Sequence, residues 1–264
     1  MITLISLSLP LALLTLNLTD PTLPKTNGEV TFTVIYDNTT SDPAYKCDWG
    51  FACLIEGKDK TILFDTGTKP DIFRENLEKL NIDLNKVDLV VISHNHGDHT
   101  GGLPVVLEKR KDLPVYIPAS VEDDFLIKYP EFNGHTMRVD KPVKLCIGAT
   151  LTGEMGKRIK EHSLIVETSK GLVVVCGCSH QGIVEIIKRT KELSDQPIHL
   201  VFGGFHLMDH SDQQVKGIIR EFKKADVEYC GATHCTGDKQ IKLFAEAYGD
   251  HYVPIGSGRK IIIP

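Results

Sequence analysis

The fold of this chain is decided by the stretch Ser93-His94-Asn95-His96-Gly97-Asp98-His99-Thr100-Gly101-Gly102. It follows the apolar run Val87–Ile92, which we predict to be a buried strand, and its glycines predict a turn into a helix. Three imidazoles and one carboxylate fall within six positions at the mouth of that strand. A rigid strand end carrying so many ligand-type side chains predicts a metal site. The alternative is a polar loop whose histidines cap a helix or face solvent.

The spacing of these four side chains favours two neighbouring metal ions over one. Side chains alternate along an extended segment, so His94 and His96 point the same way. Gly97 lets the backbone turn Asp98 and His99 toward a second point. Imidazole and carboxylate ligands suit Zn²⁺, so we predict two zinc ions, with iron or manganese as alternatives.

Three later strands are each followed by a histidine at a glycine-containing turn: His180, His206 and His234. Active-site residues on loops at one edge of a sheet give this pattern. We predict His180 and His234 as further metal ligands. His206 is predicted to contact these ligands or the substrate and to donate a proton. His162, which precedes a strand, competes with His180 for the same position.

Two other segments carry candidate site residues outside the histidine cluster. Asp65 ends an earlier strand, where its carboxylate could receive the free N–H of a metal-bound imidazole, although a turn cap is an equal alternative. Ser257 and Arg259 lie in a glycine-flanked loop near the C-terminus. Backbone N–H groups and an arginine could bind a phosphate there, the alternative being a plain turn before the last strand.

Composition and periodicity predict an ordinary globular α/β protein. The chain has 264 residues, 41% of them hydrophobic, and a net charge of −5, which gives no basic surface for nucleic acid and favours a small-molecule substrate. Early hairpins followed by strand–helix units predict one domain, residues 28–264, with sheets inside and helices outside. The predicted strands are Val30–Tyr36, Phe51–Glu56, Thr61–Phe64, Val87–Ile92, Val115–Ile117, Leu164–Glu167, Leu172–Val175, Ile198–Phe202, Val227–Tyr229 and Lys260–Ile263. The predicted helices are Pro70–Leu80, Leu103–Lys109, Gln181–Lys191, Asp212–Ala225 and Lys239–Ala247.

The N-terminal segment, residues 1–27, differs from the rest of the chain. Met1–Leu18 has no charged side chain and is interrupted by Pro10, which argues against a stable membrane span. A secretory signal fits its length and apolarity, so we expect export to the periplasm or the extracellular space. The segment lacks a basic start and a clear cleavage site, and a cytoplasmic protein with an apolar extension is the alternative. The seven cysteines are an odd number, so they cannot all pair within one chain. For Cys176, Cys178, Cys230 and Cys235 we predict buried thiols at strand ends, the alternative being a separate structural zinc site.

The sequence resembles the metallo-β-lactamase-fold superfamily, whose HxHxDH motif is matched by His94, His96, Asp98 and His99. The resemblance implies a four-layer αββα sandwich with a dinuclear metal site along one edge. It also implies a first site from His94, His96 and His180 and a second from Asp98, His99 and His234. Later motifs resemble the subgroup labelled 7,8-dihydropterin-6-methyl-4-(β-D-ribofuranosyl)aminobenzene-5′-phosphate synthase, namely Gly177–His180, Gly203–Leu207, His234–Gly237 and Gly256–Arg259.

One departure from the superfamily pattern concerns the residue between the two metals. Most members have a bridging aspartate at the end of a strand like Leu172–Val175, where this chain has Cys178. Two metals sharing a water would make hydroxide available near neutral pH. We therefore predict a metal-dependent hydrolase of a small ester, phosphoester or pterin-like substrate, in which Asp98 and His206 are catalytic. The alternatives are a transferase of the synthase type and a metal-binding sensor with weak turnover.

Overall fold

The computed structural model of the protein describes residues 28–264. The predicted export signal, residues 1–27, lies outside the described residues. Between residues 28 and 264, no helix combines the length and the apolar character that crossing a bilayer requires.

The first of two sheets has seven strands in the order β13-β1-β2-β3-β4-β5-β6. These strands are β1 (Val30–Tyr36), β2 (Ala52–Glu56), β3 (Ile62–Phe64), β4 (Leu89–Val91), β5 (Val115–Pro118), β6 (Thr136–Val139) and β13 (Lys260–Ile263). The pairs β3–β4, β4–β5 and β5–β6 are parallel, and the other pairs are antiparallel. Parallel strands end at the same edge, so the segments after β3 and β4 are brought together.

The second sheet has six strands in the order β12-β11-β10-β9-β8-β7. These strands are β7 (Val143–Cys146), β8 (Ala149–Leu151), β9 (Leu164–Thr168), β10 (Gly171–Cys176), β11 (Ile198–Gly204) and β12 (Tyr229–Thr233). Here β10, β11 and β12 are parallel neighbours. Their carboxyl ends therefore also lie at one edge.

Helices cover the outer faces of both sheets. They are α1 (Pro70–Lys79), α2 (Gly97–Thr100), α3 (Leu103–Lys109), α4 (Glu122–Lys128), α5 (Ile183–Leu193), α6 (Asp212–Lys224) and α7 (Asp238–Tyr248). Apolar side chains of α1, α3 and α4 pack on the first sheet, and those of α5, α6 and α7 pack on the second. The predicted αββα sandwich is confirmed.

A separate apolar core fills the space between the two sheets. Phe32 of strand β1 and Phe51, which directly precedes β2, contact Phe202 of strand β11, and all three are fully buried. The Phe32 and Phe202 rings meet edge to face with their centroids 5.7 Å apart, a favoured aromatic geometry. This contact fixes the two sheets face to face, which sets the distance between the strand ends that carry the polar cluster.

The structure confirms most of the predicted elements and contains five that were not predicted. Strands β1 and β13 have the predicted bounds, but α5 begins at Ile183 and β12 runs Tyr229–Thr233. The missed elements are β6, β7 and β8 and the helices α2 and α4. The three strands have at most four residues each, and those of β6 are mostly exposed or half-buried, so no apolar run marks it.

Candidate metal centre

The polar cluster sits where the carboxyl ends of parallel strands from both sheets meet. Asp65 follows β3, the His94–His99 motif follows β4, His180 follows β10, His206 follows β11 and His234 follows β12. Backbone geometry marks the same places. Four non-glycine residues with positive φ lie here: Asp65 (58°), Ser179 (63°), His206 (52°) and His234 (52°). Such conformations cost about 1–3 kcal/mol each and cluster at functional sites.

The structure brings the three predicted ligands of the first site together. One ring nitrogen each of His94, His96 and His180 lies within 4.8 Å of the others. The Nε2 atom of His94 is 3.1 Å from Nδ1 of His96. Three imidazoles with space left for a further ligand are typical of a catalytic zinc site.

The second predicted site gains a fourth ligand-type side chain. Asp98, His99, Cys178 and His234 offer ligand atoms that also lie within 4.8 Å of one another. The Nε2 atom of His99 is 3.2 Å from the Cys178 sulfur, and the Oδ2 atom of Asp98 is 3.3 Å from Nε2 of His234. Cys178 thus lies inside this cluster, at the place where the superfamily resemblance expects a bridging aspartate. A carboxylate, two imidazoles and a thiolate suit zinc or iron.

Four of the five predicted ligand histidines have their Nδ1 atom held by a neighbour. The pairs are His94 with Ser93 Oγ (2.9 Å), His99 with Asp65 Oδ2 (2.7 Å), His180 with Glu161 Oε2 (3.0 Å) and His234 with Asn38 Oδ1 (2.9 Å). An oxygen that accepts from Nδ1–H fixes the tautomer and leaves Nε2 as the free lone pair. The Nε2 atom of His234 is buried and faces Oδ2 of Asp98 at 3.3 Å, an arrangement in which both atoms could bind one cation. The residues present fit a metal, because a cation would satisfy these nitrogens.

Asp65 connects both sites. Its Oδ2 atom accepts hydrogen bonds from His99 Nδ1 (2.7 Å) and from the Ser93 hydroxyl (2.8 Å), and that hydroxyl in turn is 2.9 Å from His94 Nδ1. The Ser93 N–H donates to Oδ1 of Asp65 at 2.7 Å. The predicted supporting contact of Asp65 to a ligand imidazole is therefore present in the structure, and it reaches a ligand of each site.

Burial and charge set the proton state of these histidines. Burial lowers the pKa of His94 well below its usual range, and the nearby His99 charge adds to this, so His94 is neutral. For His99, burial acts downward but the Asp65 and Asp98 carboxylates outweigh it and raise its pKa to about 10. Without a metal, His99 is a cation between two carboxylates. A metal ion would replace that proton.

Glu161 is a site residue that sequence reasoning missed. Its fully buried carboxylate accepts backbone N–H bonds from Cys178 (2.8 Å), Ser179 (2.9 Å) and His180 (2.9 Å) as well as Nδ1 of His180. Burial acts to raise the pKa of Glu161, but the His180 contact and these N–H groups lower it well below its usual range. Glu161 is adjacent to the predicted competitor His162, which was the only sequence signal near it.

Asn38 and Trp49 were also not predicted as site residues. Asn38 makes two hydrogen bonds to His234. Its Oδ1 accepts from the ring Nδ1, and its Nδ2 donates to the backbone carbonyl of His234 at 3.2 Å. The Trp49 indole N–H donates to Oδ2 of Asp98 at 2.9 Å. The centroids of the Trp49 and His234 rings are 4.9 Å apart. Both follow β1 in the chain, far in sequence from the ligands they contact.

The remaining predicted residues lie apart from the two ligand clusters. His162 is fully buried, belongs to neither cluster, and has no hydrogen-bond partner for its ring among the described residues. His180 therefore takes the position for which His162 competed. Ser257 is buried and its hydroxyl accepts from Asp37 N at 2.9 Å, while Arg259 is exposed. Their phosphate-binding role stays a prediction.

His206 lies beside the first site as predicted. The centroid of its ring is 4.4 Å from the centroid of the His180 ring, and His206 forms a third cluster with Cys178 and Cys235. A hydrogen bond to Cys235 is the main cause that raises the pKa of His206. All seven cysteines are free thiols, and the four predicted to be buried, Cys176, Cys178, Cys230 and Cys235, are buried.

The chain belongs to the metallo-beta-lactamase superfamily, whose family model matches residues 50–187. A relative from Methanocaldococcus jannaschii, 7,8-dihydropterin-6-methyl-4-(beta-D-ribofuranosyl)-aminobenzene-5′-phosphate synthase, is 28% identical over 279 aligned positions, covering 87% of this chain and 95% of the relative. An uncharacterized protein of the same organism is 31% identical over 259 positions, covering 84% of this chain and 97% of that protein. Among solved structures, Tm1679, a metal-dependent hydrolase of the beta-lactamase superfamily, is similar with a TM-score of 0.74 and 26% identity, covering 88% of this chain and 98% of that structure.

Proposed function

We propose that this chain is a metal-dependent transferase that joins a reduced pterin to a phosphorylated arylamine. The observation that carries the proposal is the similarity to the Methanocaldococcus jannaschii synthase, which extends over 87% of this chain and 95% of the relative. The product in that relative's name links a dihydropterin methyl group to an aminobenzene that bears a ribofuranosyl phosphate. The corresponding reaction forms a bond between the arylamine nitrogen and the methylene carbon on C6 of the pterin. The bond from that carbon to its diphosphate leaving group breaks, and the nitrogen loses a proton.

Two zinc ions are part of this proposal. The first would be held by His94, His96 and His180, and the second by the cluster of Asp98, His99, Cys178 and His234. When bound, the metals would supply Lewis-acid stabilisation of negative charge on a leaving group or an activated water. The donor set and the held Nδ1 atoms support zinc, with iron as the alternative metal for the thiolate-containing site.

The protein's own residues have three tasks in this scheme. Asp65, Glu161 and Asn38 keep ligand imidazoles in one tautomer and orientation, so the site does not reorganise during the reaction. Asp98 is held from the solvent side by the indole N–H of Trp49. His206, exposed next to His180, is placed to move a proton at the arylamine nitrogen or the leaving group.

The direct test offers the zinc-loaded protein both halves of the product. A 7,8-dihydropterin carrying a diphosphate on its 6-hydroxymethyl group is incubated with 4-(β-D-ribofuranosyl)aminobenzene 5′-phosphate, and mass spectrometry follows the adduct. We expect the adduct with the wild-type protein and its loss in Asp98→Ala and after chelation. Absence of the adduct from a metal-loaded protein would overturn the transferase proposal.

Metal-dependent hydrolysis is the second candidate, since the similar solved structure Tm1679 is a metal-dependent hydrolase and the similarity covers 98% of it. The same incubation separates the two, because a hydrolase transfers the activated group to water. Release of 6-hydroxymethyl-dihydropterin without adduct, or turnover of a generic phosphodiester or lactone, would favour hydrolysis. Bound metal with no conversion of any substrate would favour the sensor alternative.

A further inference from the structure

A cavity of about 630 Å³ lies beside the first metal site. It is lined by two residues of the site region, His180 and His206, together with the loop Met155–Ile159 and the side chains of Gln181 and Glu185. A molecule in this cavity therefore touches a predicted metal ligand and the predicted proton donor. The cavity volume falls in the range typical of small-molecule sites.

Two basic side chains give this cavity an uncompensated positive charge. Lys157 and Arg158 are exposed, and within residues 28–264 neither has a hydrogen-bond or ion-pair partner. The acidic lining residue Glu185 is already paired with Lys188 at 2.7 Å. The cavity thus offers one ammonium and one guanidinium group to an anion.

The loop that carries these charges is fixed in place next to the metal ligand. Met155 and Glu161 close the base of the loop through two backbone hydrogen bonds. The distance is 2.8 Å from the Met155 nitrogen to the Glu161 oxygen and 3.1 Å from the Glu161 nitrogen to the Met155 oxygen. Gly156 has φ +90°, and a Cβ there would lie 2.3 Å from the carbonyl oxygen of Ile159. Glycine is therefore needed for the loop conformation. Because Glu161 also binds His180, the basic loop and the first site share one anchor.

Gln181 provides an independent sign of a missing ligand. Both its Oε1 and Nε2 atoms are buried without a hydrogen-bond partner among the described residues, although the residue lines the cavity. A buried amide without partners is costly, and native structures contain few of them. An amide offers one acceptor and one donor side by side, which complements the lactam edge of a heterocycle such as a pterin.

We propose that this cavity binds the phosphate-bearing substrate, with Lys157 and Arg158 as the phosphate-binding pair and the Gln181 amide bonded to a polar edge of the same or the adjoining substrate. The proposal rests on the proposed function, because it assigns the substrate subsite of that reaction. Arginine is suited to this role, since its guanidinium binds phosphate oxygens in a bidentate manner. The phosphate source is a phosphomonoester or a diphosphate, which the experiment distinguishes.

The test measures binding to the zinc-loaded full-length protein by calorimetry, with ribose 5-phosphate and methyl diphosphate as probes. The variant Lys157→Gln/Arg158→Gln is compared with the control Lys216→Gln/Arg220→Gln, which removes one lysine and one arginine charge from the exposed face of helix α6. We expect the first variant to bind at least one probe about tenfold or more weakly, as loss of charge-assisted hydrogen bonds implies. The control should stay within about twofold of wild type, the range left to a distant screened charge. The probe that loses more affinity identifies the phosphate source.

Metal content serves as the control for correct folding, because both variants should bind as much zinc as the wild-type protein. Wild-type affinity in Lys157→Gln/Arg158→Gln would overturn the proposal, because the anion would then bind at the metals alone. An equal loss in the control variant would also overturn it, because the effect would then come from net charge and not from the cavity. Binding is measured without turnover, so intact probe binding with no pterin–arylamine adduct would contradict the proposed function and leave the subsite standing.

A second variant tests the amide separately. Gln181→Leu should lower the affinity for 6-hydroxymethylpterin about tenfold, because a polar edge of the pterin would lose its hydrogen bonds. The affinity for the phosphate probe should stay within about twofold of wild type. An unchanged pterin affinity would overturn the role of Gln181.

Discussion

The Nδ1 atom of His99 lies 2.7 Å from Oδ2 of Asp65, and both side chains are fully buried. This pair sits at the centre of the site, because Asp65 also receives the Ser93 hydroxyl that contacts His94. One carboxylate thereby orients a predicted ligand of each metal.

The first prediction concerns Asp65→Asn. The amide keeps the size of the side chain but loses the charge that orients His99, so zinc affinity should fall about 10- to 100-fold, as for other residues that support metal ligands. Competition with a chromophoric chelator measures it. The matched control is Asp88→Asn, an exposed carboxylate that accepts from Thr61 N at 2.7 Å outside the site. Equal zinc affinity in both variants would show that Asp65 has no role in metal binding.

Metal binding should release a proton from His99. The pKa of His99 in the metal-free protein is about 10, so the ring is charged at neutral pH and must lose its Nε2 proton before Nε2 can bind zinc. Zinc affinity should therefore rise with pH and fall as the solution is acidified, by up to about tenfold per pH unit for this one group. Calorimetry in buffers of different ionisation enthalpy counts the protons. No proton release near neutral pH would contradict the assignment of His99.

Glu161→Gln should affect both metal binding and the pH dependence of stability. The folded-state pKa of Glu161 lies below its usual value, so its ionised form stabilises the fold above about pH 4.5, and this contribution is lost as the pH falls further. The metal-free variant should have a lower free energy of unfolding at neutral pH, and the difference should shrink on acidification. Urea unfolding across pH measures it. A difference that stays constant with pH would mean that the carboxylate charge is not involved.

Cys178→Ser tests whether the thiolate binds a metal. Cys178 lies 3.2 Å from Nε2 of His99 within the second ligand cluster, so cobalt-loaded wild-type protein should show a thiolate-to-cobalt charge-transfer band in the near ultraviolet. The variant should lose that band and hold the second ion less tightly. Cys53→Ser, at a buried thiol in strand β2, is the control and should keep the band. Persistence of the band in Cys178→Ser would assign it to another thiolate, such as Cys235.

Much of this site could be predicted because it depends on local sequence patterns. His94, His96, Asp98 and His99 lie in one motif after a buried strand, and the later histidines each follow an apolar run. Parallel strands bring their carboxyl ends to one edge, so the positions of the ligands follow from the strands alone. The αββα architecture could be predicted for the same reason, since alternating apolar and amphipathic segments specify layers.

The supporting residues could not be predicted, because their contacts join segments that are distant in the chain. Asn38 is 196 positions from His234, and Trp49 is 49 positions from Asp98. Glu161 is 19 positions from His180 and follows no apolar run. A polar residue beside a turn gives no local signal of the partner it will meet. The basic pair of the cavity was missed likewise, since Lys157 and Arg158 resemble any exposed loop charges until the fold places them beside His180.

If this strand-end cluster is a metal centre with two sites, anomalous scattering at the zinc edge will locate both ions. Crystals of the zinc-loaded protein should show one anomalous peak among His94, His96 and His180 and a second among Asp98, His99, Cys178 and His234. Peaks at neither cluster, in protein shown by metal analysis to contain zinc, would contradict the account.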